Sequence, residues 1–362
     1  MLTPMITIDV RALHNSGIGT YIQNLLPRLI AAKPELTFHL LGSEADLSRF
    51  AWTTAPNVTL SDCTSPLYSV KEQLELAQKT PRDTDLFWSP HYNIPLLYRG
   101  KLLVTVHDVF HLAQPEMSLP KKLYAKGMFR AVRQKADAIV TVSEFSKGEL
   151  IRFVGKGRQE VTPIHIGVDE AWFDVPDGPR PYEKPYILFV GSVKPHKNVG
   201  GLIRALELAQ HRIPHDLVIV GRREGLLTAD EEVAAKAAAL EERVHFTGFV
   251  EDAHLKRFVK HADALVLPSF YEGFGLPPLE AMACGCPALV SNAASLPEAC
   301  GDAALYCDPH KAQDIADKLV LLMEDETLQT SLRQKGLERA GRFTWEACAR
   351  ETLAVLERTL SV

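Results

Sequence analysis

The amino-acid sequence predicts an α/β protein built from two doubly wound domains, each a mainly parallel β-sheet with helices on both faces. Short apolar runs, typical of buried strands, alternate with helix-like stretches along the chain, which is the pattern of βαβ units. These runs form two similar sets, separated by the turn-rich segment Asp174–Pro181. The 362 residues suffice for two domains with separate hydrophobic cores.

Each half of the chain contains five predicted strands. They are Ile6–Val10, Phe38–Gly42, Leu86–Ser89, Leu102–Val106 and Ala138–Val142 in the first half, and Tyr186–Gly191, Asp216–Gly221, Val244–Gly248, Ala264–Pro268 and Pro287–Ser291 in the second. We expect a first domain over residues 1–172, a linker over 173–184, a second domain over 185–343 and a last helical segment over 344–362. Ligands of such sheets bind beyond the carboxyl ends of the strands, so the residues that follow each strand are the candidate site residues.

Composition and charge narrow the class of protein. The chain is 46% apolar and 23% charged with a net charge of −5, which gives no indication of nucleic-acid binding. No apolar run approaches the roughly 20 residues that span a bilayer, and the start of the chain lacks the pattern of a signal peptide. The six cysteines contain no C-x-x-C pair, so we expect a reduced, cytoplasmic setting and neither a disulfide framework nor a metal site.

The most informative stretch is Ser269–Ala283, which follows the predicted strand Ala264–Pro268. Pro277 and Pro278 suit the first positions of a helix, where a missing N–H costs little. Gly285 suits the end of that helix. The stretch is therefore predicted to run from a strand through a loop into a short helix.

Glycines and carboxylates share this loop. Gly273 and Gly275 let the backbone approach a ligand closely, and the free amides at the positive end of a helix suit a phosphate. Glu272 in the loop and Glu280 in the predicted first turn would repel a phosphate at contact, so we expect them to bind hydroxyl groups beside it. An anion cradle between two hydroxyl acceptors predicts a nucleotide-sugar site.

Other strand ends of the second half supply cations and a flat backbone surface. Lys194 and Lys197 follow Gly191-Ser192, and either is a candidate for neutralising a diphosphate, although a solvated lysine is the alternative for each alone. Arg222 and Arg223 follow Gly221 and favour an anion site. Gly248-Phe249 follows another strand and is a candidate platform for a base.

The first half offers weaker signals. Gly17 and Gly19 form a predicted loop before a helix, which is equally compatible with a tight βα turn and with a surface for phosphate or sugar. His107-Asp108 follows a buried strand, and a structural role and a role in sugar binding or proton movement are equally compatible with that position. His91-Tyr92 at another strand end are candidates for the acceptor side. Asp83-Thr84-Asp85 has the form of a metal-binding D-x-D motif but precedes a strand, so a solvated turn is favoured.

A basic amphipathic helix is predicted over Ser118–Lys135. Its apolar face is expected to contain Leu119, Leu123, Met128, Phe129 and Val132, and its polar face Lys121, Lys122, Lys126, Arg130, Arg133 and Lys135. A solvated surface helix is the simpler interpretation, and a contact with anionic membrane headgroups is the alternative.

Taken together, the motif Tyr271-Glu272-Gly273-Phe274-Gly275-Leu276-Pro277 with Glu280 resembles the E-x7-E signature of the retaining glycosyltransferases of family 4. Further segments fit that family along nearly the whole chain: Gly17–Gly19, His107, Ser143–Ser146, Gly191 with Lys197-Asn198, and Leu296–Glu298 with Gly301-Asp302. The resemblance implies the GT-B architecture, with two Rossmann-like domains facing a central cleft and a final helix that crosses back to the first domain. The version here is most similar to bacterial mannosyltransferase-like members that build O-antigen or capsular polysaccharide.

The resemblance also implies roles for individual residues. Glu280 would bind the ribose hydroxyls, Glu272 a donor-sugar hydroxyl, the amides of Phe274–Leu276 the sugar or phosphate, Lys197 the diphosphate, and His107 the reacting sugar. Many relatives have an arginine where this chain has Ser192, so Lys194 or Arg222 is expected to replace that charge.

The implied reaction is the metal-independent transfer of a hexosyl group from a nucleotide diphosphate sugar to a glycan or a polyprenyl-diphosphate-linked acceptor. GDP-mannose is the first candidate donor, with UDP, dTDP and other GDP sugars open. An enzyme of this kind would be cytoplasmic or peripheral on the inner face of the membrane. The alternatives are a nucleotide-sugar epimerase or a phosphorylase of the same architecture, and a non-catalytic sugar-binding protein.

Overall fold

A computed structural model describes residues 3–114, 117–221, 240 and 242–361, and only the backbone of Ser16. The chain folds into two compact units. The N-terminal unit combines Met1–Gly167 with Trp345–Val362, and the C-terminal unit is Val168–Thr344.

Among the described residues, the N-terminal unit contains a sheet of seven parallel strands in the order β3-β2-β1-β4-β5-β6-β7. The strands are β1 Met5–Asp9, β2 Thr37–Gly42, β3 Val58–Asp62, β4 Leu86–Ser89, β5 Lys101–Val106, β6 Ala138–Thr141 and β7 Val161–Pro163. The helices are α1 Ser16–Ala32, α2 Glu44–Leu47, α3 Val70–Lys79, α4 Phe110–Ala113, α5 Leu119–Lys135 and α6 Glu144–Val154, with a 3-10 turn at Ala51–Thr54.

The described part of the C-terminal unit contains a second parallel sheet, in the order β10-β9-β8-β11-β12-β13. Its strands are β8 Tyr186–Val190, β9 Asp216–Val220, β10 Val244–Gly248, β11 Ala264–Leu267, β12 Ala288–Ser291 and β13 Leu305–Cys307. Its helices are α7 Val199–Ala209, α8 Asp252–His261, α9 Leu276–Ala283, α10 Leu296–Cys300, α11 Ala312–Glu324 and α12 Glu326–Ala340, with 3-10 turns at Glu170–Trp172 and Pro195–Lys197. The prediction of two doubly wound α/β domains is confirmed.

Each sheet reverses its strand order once. In the N-terminal unit the chain builds outward from β1 to β3, then returns to the other side of β1 with β4. In the C-terminal unit the same reversal lies between β8 and β11. Loops diverge at such a switch point and leave a crevice beyond the carboxyl ends, where doubly wound proteins bind their ligands. The loops after β1 and β4, and after β8 and β11, are therefore the first places to look for a site.

The last helix, α13 Trp345–Ser361, packs within the N-terminal unit. Trp345 is 1% exposed, and its ring lies 6.2 Å from that of Tyr21. Arg28 Nε donates to Glu346 Oε1 at 2.6 Å, and Lys101 Nζ donates to the carbonyl of Leu360 at 2.7 Å. Apolar packing at one end and hydrogen bonds along the helix thus join the end of the chain to α1 and β5.

Two expectations about local structure were wrong. The Gly17–Gly19 segment is not a loop before a helix, because α1 begins at Ser16 and both glycines lie in its first turn. Gly19 is required there by close packing, since a Cβ would lie 2.3 Å from the carbonyl oxygen of Leu13. Open space surrounds the Cα of Gly17.

The faces of α5 also differ from the expectation. Met128, Phe129 and Val132 are buried, but Leu119 and Leu123 are 68% and 60% exposed. Leu119 and Met128 are nine positions apart, which places them on opposite faces at about 100° per residue. Arg133, expected on the polar face, is buried instead, because it is four residues after the buried Phe129 and so lies on the same side of the helix. In the part of the chain that the structure describes, no helix is both long enough and apolar enough to cross a membrane.

Candidate active site

Two charged side chains meet at the switch point of the C-terminal unit. Lys197 follows β8 and Glu272 follows β11, and the Nζ of Lys197 lies 2.6 Å and 2.8 Å from the two carboxylate oxygens of Glu272. The side chains are 17% and 11% exposed. The strand order brings together two residues 75 positions apart, and both flank the crevice where a ligand of this sheet would bind.

Asn198 fixes the backbone that carries Lys197. It adopts a left-handed conformation with φ 56° between the turn Pro195–Lys197 and helix α7. Its side-chain amide donates to the carbonyls of Pro268 at 3.1 Å and Pro309 at 2.7 Å. The loop after β8 is thereby tied to the loops after β11 and β13, which holds Lys197 in place.

The loop that carries Glu272 is held from beneath by Ser295. The Ser295 hydroxyl is buried and lies 2.9 Å from the carbonyl oxygen of Glu272 and 2.8 Å from that of Phe274. Gly275 is the N-cap residue of α9 with φ 106°, and a Cβ there would lie 2.7 Å from a methyl carbon of Leu296. Only glycine meets both conditions. The predicted helix with Pro277 at its start is confirmed, so its first amides point out of a rigid turn.

Glu280 was expected in the first turn of this helix, and that expectation was wrong by one residue, since α9 begins at Leu276 and Glu280 opens its second turn. Its environment differs from that of Glu272. Burial and the nearby carboxylate of Asp252 raise the pKa of Glu280 to about 8, while Lys256 acts in the opposite direction. The indole of Trp172 also contributes a hydrogen bond. A carboxyl group in this setting holds a proton at neutral pH. It would release that proton when hydroxyl groups of a ligand donate hydrogen bonds to it.

Three glycines form a row at the carboxyl edge of this sheet. Gly191 and Gly221 directly follow β8 and β9 with φ of 142° and 147°, and Gly248 is the last residue of β10 with φ 72°. A Cβ on Gly221 would lie 2.1 Å from the carbonyl oxygen of Gly191, so the first two strand ends pack backbone against backbone. At these three described positions the edge therefore presents main-chain groups and no side chain of its own.

Other candidates on this edge are accessible. Lys194 is exposed, Ser192 and Gly273 are half-buried, and Phe249 is 75% exposed. Arg222 and Arg223 lie outside the described residues. The predicted diphosphate and base contacts of these residues stay predictions.

His107 lies at the carboxyl edge of the other sheet, in the N-terminal unit. Its Nε2 is 3.0 Å from the carbonyl oxygen of Pro90, which can only accept, so Nε2 carries the proton and Nδ1 is the acceptor nitrogen. Burial lowers the pKa of His107 to about 4. The ring packs edge-on against Tyr21 at 5.0 Å. His107 is thus a neutral imidazole, held in one tautomer.

The candidates for the acceptor side differ in accessibility. His91 is 2% exposed and its Nε2 lies 3.3 Å from Asp9 Oδ2. Tyr92 stacks on Phe129 at 4.4 Å. Asp108 accepts a hydrogen bond from the amide of Phe110 at 2.9 Å, which shapes the start of α4. Their proposed contacts with an acceptor stay predictions.

A buried charged cluster at the N-terminal switch point was not predicted. Arg11, just after β1, donates to both carboxylate oxygens of Asp9 at 2.8 Å and 2.6 Å and lies 3.3 Å from Glu72 Oε2. Asn93 donates to the other oxygen of Glu72. Although burial alone would raise it, the hydrogen bond from Arg11 holds the pKa of Asp9 far below its usual range. A carboxylate and an arginine directly after a buried strand were the sequence signal that could have identified this cluster.

A cavity of about 520 Å³ adjoins the cluster. Among the residues that line it are Arg11, His14, Asn15, Ser43, Ser65 and Tyr68. It lies beyond the carboxyl ends of β1, β2 and β3, so polar and charged groups surround a space large enough for a sugar unit.

Comparison with known proteins assigns the family. The model of "Glycosyltransferase Family 4" matches residues 15–172, and that of "Glycosyl transferases group 1" matches residues 171–339. The two matches together run from α1 to the end of α12. The chain belongs to glycosyltransferase family 4.

Curated relatives of the glycosyltransferase include bacterial mannosyltransferases. The O-antigen chain mannosyltransferase B of Escherichia coli is 29% identical over 284 residues, which is 74% of this chain and 73% of that protein. The serotype-specific mannosyltransferase WbdA of Escherichia coli is also 29% identical, over 75% of this chain. The chain spans only 34% of the length of WbdA.

The fold of the glycosyltransferase is that of solved GT-B structures. The Anabaena protein HepE was crystallised with UDP-glucose. It superposes on this chain with a TM-score of 0.77 at 18% sequence identity, over 98% of this chain and 99% of the HepE chain. The predicted GT-B architecture is therefore confirmed. In this enzyme the Lys197–Glu272 pair belongs to the C-terminal unit, and His107 and the Asp9–Arg11 cluster belong to the N-terminal unit.

Proposed function

We propose that this glycosyltransferase transfers a hexosyl group, with retention of anomeric configuration, from a nucleotide diphosphate sugar to a hydroxyl group of a growing glycan. The Lys197–Glu272 pair at the C-terminal switch point supports this most directly. It places a cation for phosphate and a carboxylate for sugar hydroxyls at the edge where doubly wound sheets bind ligands. The glycine-lined edge and the first amides of α9 supply the remaining anion contacts.

The reaction breaks the bond between the anomeric carbon and the diphosphate oxygen and forms a bond from that carbon to the acceptor oxygen. The acceptor proton passes to the departing phosphate oxygen on the same face of the sugar, which leaves a nucleoside diphosphate. The anomeric carbon becomes oxocarbenium-like while negative charge develops on the leaving phosphate. Lys197 and the amides of α9 stabilise that charge from fixed positions, because the protein has already oriented them.

Each glutamate has a separate role in this proposal. Glu280 binds the ribose hydroxyls of the donor, and Glu272 binds a hydroxyl of the sugar being transferred. On donor binding, Lys197 shares its charge between Glu272 and the diphosphate. His107, neutral and with Nε2 engaged by Pro90, offers Nδ1 as an acceptor for a sugar hydroxyl.

For the donor we propose GDP-mannose, supported by the mannosyltransferase relatives. HepE was crystallised with UDP-glucose, so UDP sugars are the first comparison. The chain should be screened by thermal shift against GDP-mannose, GDP, UDP-glucose and dTDP-glucose. A larger stabilisation by GDP-mannose than by GDP and by both other sugars is expected. Stabilisation by a UDP sugar alone would exclude the proposed donor but leave the transferase proposal intact.

For the acceptor we propose a glycan carried on a polyprenyl diphosphate, within surface polysaccharide synthesis. The cavity of about 520 Å³ beside Arg11 supplies the polar surface for its terminal sugar. Transfer to a synthetic lipid-linked oligosaccharide should give a product with the anomeric configuration of the donor, read from NMR coupling constants. An inverted product would contradict retention, and interconversion of the donor without an acceptor would favour an epimerase.

We propose that the reaction needs no metal ion, because Lys197 and the helix amides neutralise the diphosphate. Activity should persist after dialysis against EDTA. Complete loss that magnesium restores would overturn this part of the proposal. Glu272→Ala should abolish transfer in a protein that still folds, with the melting temperature lowered only by the loss of the ion pair with Lys197.

We also propose a cytoplasmic enzyme that contacts the inner membrane surface through α5. Leu119 and Leu123 are exposed beside the lysines at 121, 122 and 126, and apolar side chains among cations suit anionic headgroups. The double variant Leu119→Ser/Leu123→Ser should lose co-sedimentation with vesicles that contain phosphatidylglycerol. The control Leu321→Ser/Leu337→Ser changes two leucines of the C-terminal unit that are 42% and 45% exposed, and it should not lose co-sedimentation. If both variants co-sediment with these vesicles as much as the wild type does, the membrane contact is excluded.

A further inference from the structure

The N-terminal unit has a second polar cavity, which lies at the amino ends of its strands. It is a cavity of about 1030 Å³ between the end of α5 and the segment that joins α6 to β7. Ala136 and Asp137 lead into β6, and Gly157–Gln159 lead towards β7. These segments precede their strands, so the cavity lies at the amino ends, whereas His107 and the Asp9–Arg11 cluster lie at the carboxyl ends.

The lining of this cavity is strongly basic. Its charged residues are Arg130, Arg133, Lys135, Lys156, Arg158 and Asp137. The one carboxylate among these lining residues, that of Asp137, already accepts a hydrogen bond from the amide of Leu102 at 2.8 Å. Five cations facing one carboxylate create a local positive potential that favours an anion.

Arg133 is the buried member of this set. It is 8% exposed, and its Nε donates to the carbonyl oxygen of Gly155, the residue that ends α6, at 3.1 Å. Its Nη1 is buried and has no hydrogen-bond partner among the described residues. A buried donor on a charged group that lacks a partner is costly. Because Arg133 also lines the cavity, an anion that reached Nη1 would supply the missing hydrogen bond.

Gly157 makes room for that guanidinium. A Cβ at this position would lie 2.8 Å from Cζ of Arg133 and 2.7 Å from Oε1 of Gln159. Gln159 in turn donates to the carbonyl of Arg133 at 3.1 Å. The segment after α6 is therefore shaped around the arginine head group, and the position of that head group depends on a missing side chain.

We propose that this cavity binds a phosphoryl group through Arg133, Lys156 and Arg158. The site is distinct from the donor site. Arginine donors match the geometry of phosphate oxygens, and hydrogen bonds between charged groups are stronger than neutral ones. The phosphoryl group belongs either to a soluble compound or to the headgroup of an anionic lipid. The chemistry of recognition is the same for both, and the experiment distinguishes them.

The test compares the full chain with two cavity variants, one control variant and the donor-site variant Lys197→Met. Lys156→Gln/Arg158→Gln removes two exposed cations of the cavity. Gly157→Ala displaces the Arg133 head group without changing any charge. The control Lys71→Gln/Lys79→Gln removes two exposed lysines from α3 of the same unit, away from the cavity.

Inorganic phosphate and pyrophosphate are titrated by calorimetry, and vesicles of phosphatidylcholine with and without phosphatidylglycerol are tested by co-sedimentation. A component of phosphate binding that weakens about tenfold or more in both cavity variants, but not in the control, supports a soluble phosphoryl ligand. Loss of binding to the anionic vesicles in both cavity variants, with no such phosphate component, supports a lipid headgroup. Lys197→Met identifies any pyrophosphate binding that belongs to the donor site.

Two results would overturn the proposal. One is that both cavity variants bind phosphate and vesicles as the wild type does. The other is that the α3 control weakens binding as much as the cavity variants, because net charge alone would then explain the effect. Melting curves of each variant establish that the comparison is made on folded protein, and neither outcome bears on the donor site.

Discussion

Lys197 and Glu272 form an ion pair, with Nζ 2.6 Å from Oε1 and 2.8 Å from Oε2, across the switch point between β8 and β11. Both side chains are largely buried, so each neutralises a charge that would otherwise be costly to hold in the crevice. A donor diphosphate would compete with Glu272 for the same ammonium group. In the proposed mechanism the pair would therefore link occupancy of the diphosphate position to the freedom of Glu272 to bind the sugar.

The first prediction concerns the stability of this pair. Lys197→Met and Glu272→Gln should each lower the free energy of unfolding by about 1–3 kcal/mol, because each leaves the other group without its partner. The double variant should lose less than the sum of the two, with a coupling energy of about 1–2 kcal/mol. Urea unfolding of the four proteins measures the cycle. Additive losses would mean that the ion pair does not contribute in solution.

The second prediction concerns Glu280. Its pKa is raised to about 8, so between the ordinary carboxyl value and pH 8 the folded state holds a proton that the unfolded state has released. Stability contributed by this group therefore falls as the pH rises through that window. Glu280→Gln should raise the melting temperature at pH 8.5, by roughly 2–4 °C for each 1 kcal/mol of relief, and change it little at pH 4.5.

The same substitution should weaken donor binding. Loss of a hydrogen bond from a hydroxyl to a charged carboxylate costs about 1.5–3 kcal/mol, or roughly 10- to 150-fold in affinity. Thermal shift gives the stability, and calorimetry with GDP-mannose gives the affinity. A variant that is less stable at pH 8.5 would contradict the raised pKa of Glu280, and an unchanged affinity would contradict its role at the ribose.

The third prediction compares the two glycines that flank helix α9. Gly275 has φ 106° and lies where a Cβ would be 2.7 Å from Leu296, whereas Gly285 has φ 72° and open space around it. Gly275→Ala should combine a clash with backbone strain and cost about 2–4 kcal/mol, and Gly285→Ala should cost only the strain, about 1 kcal/mol. Transfer activity should fall far more in Gly275→Ala than in Gly285→Ala, because the substitution at Gly275 displaces the first amides of α9 and Glu272. Equal effects of the two substitutions would show that the turn has no special role.

The layers of the fold and the sheet edge that carries the candidate site could be predicted from the sequence. Alternation of strands and helices predicted ten strands, and glycines, lysines and glutamates after those strands marked the carboxyl edge. Those ten strands leave out β3, β7 and β13 of the described part of the chain. Val58–Asp62 lies at the edge of its sheet with polar and apolar residues mixed, and Val161–Pro163 and Leu305–Cys307 are only three residues long, so none of the three has the apolar run that identified the others.

The contacts within the site required the strand order. Lys197 and Glu272 were predicted as separate ligands of phosphate and sugar, and their ion pair follows only because β8 and β11 are neighbours. The cluster of Asp9, Arg11 and Glu72 likewise joins the end of β1 to α3, 61 positions away from Arg11. Local patterns do not encode which strands become neighbours, and for that reason partners distant in the chain were not found.

The last prediction concerns the protonation of His107. Its pKa is lowered to about 4, with burial as the main cause. Between pH 4 and the ordinary histidine value of about 6.5 the unfolded state binds more protons than the folded state. Stability should therefore rise with pH through this window, and the rise should be smaller in His107→Gln, because glutamine does not titrate.

Heteronuclear NMR measures the same property directly. The ring signals of His107, assigned by their absence in His107→Gln, should not titrate between pH 5.5 and 8, and Nε2 should have the shift of a protonated nitrogen because it donates to Pro90. Titration of this residue should consequently cause no change in the rate of transfer near pH 6.5. Titration of His107 at that pH would mean that its ring is solvated and free to protonate, and a proton-carrying role would then replace the neutral hydrogen-bonding role derived from its position.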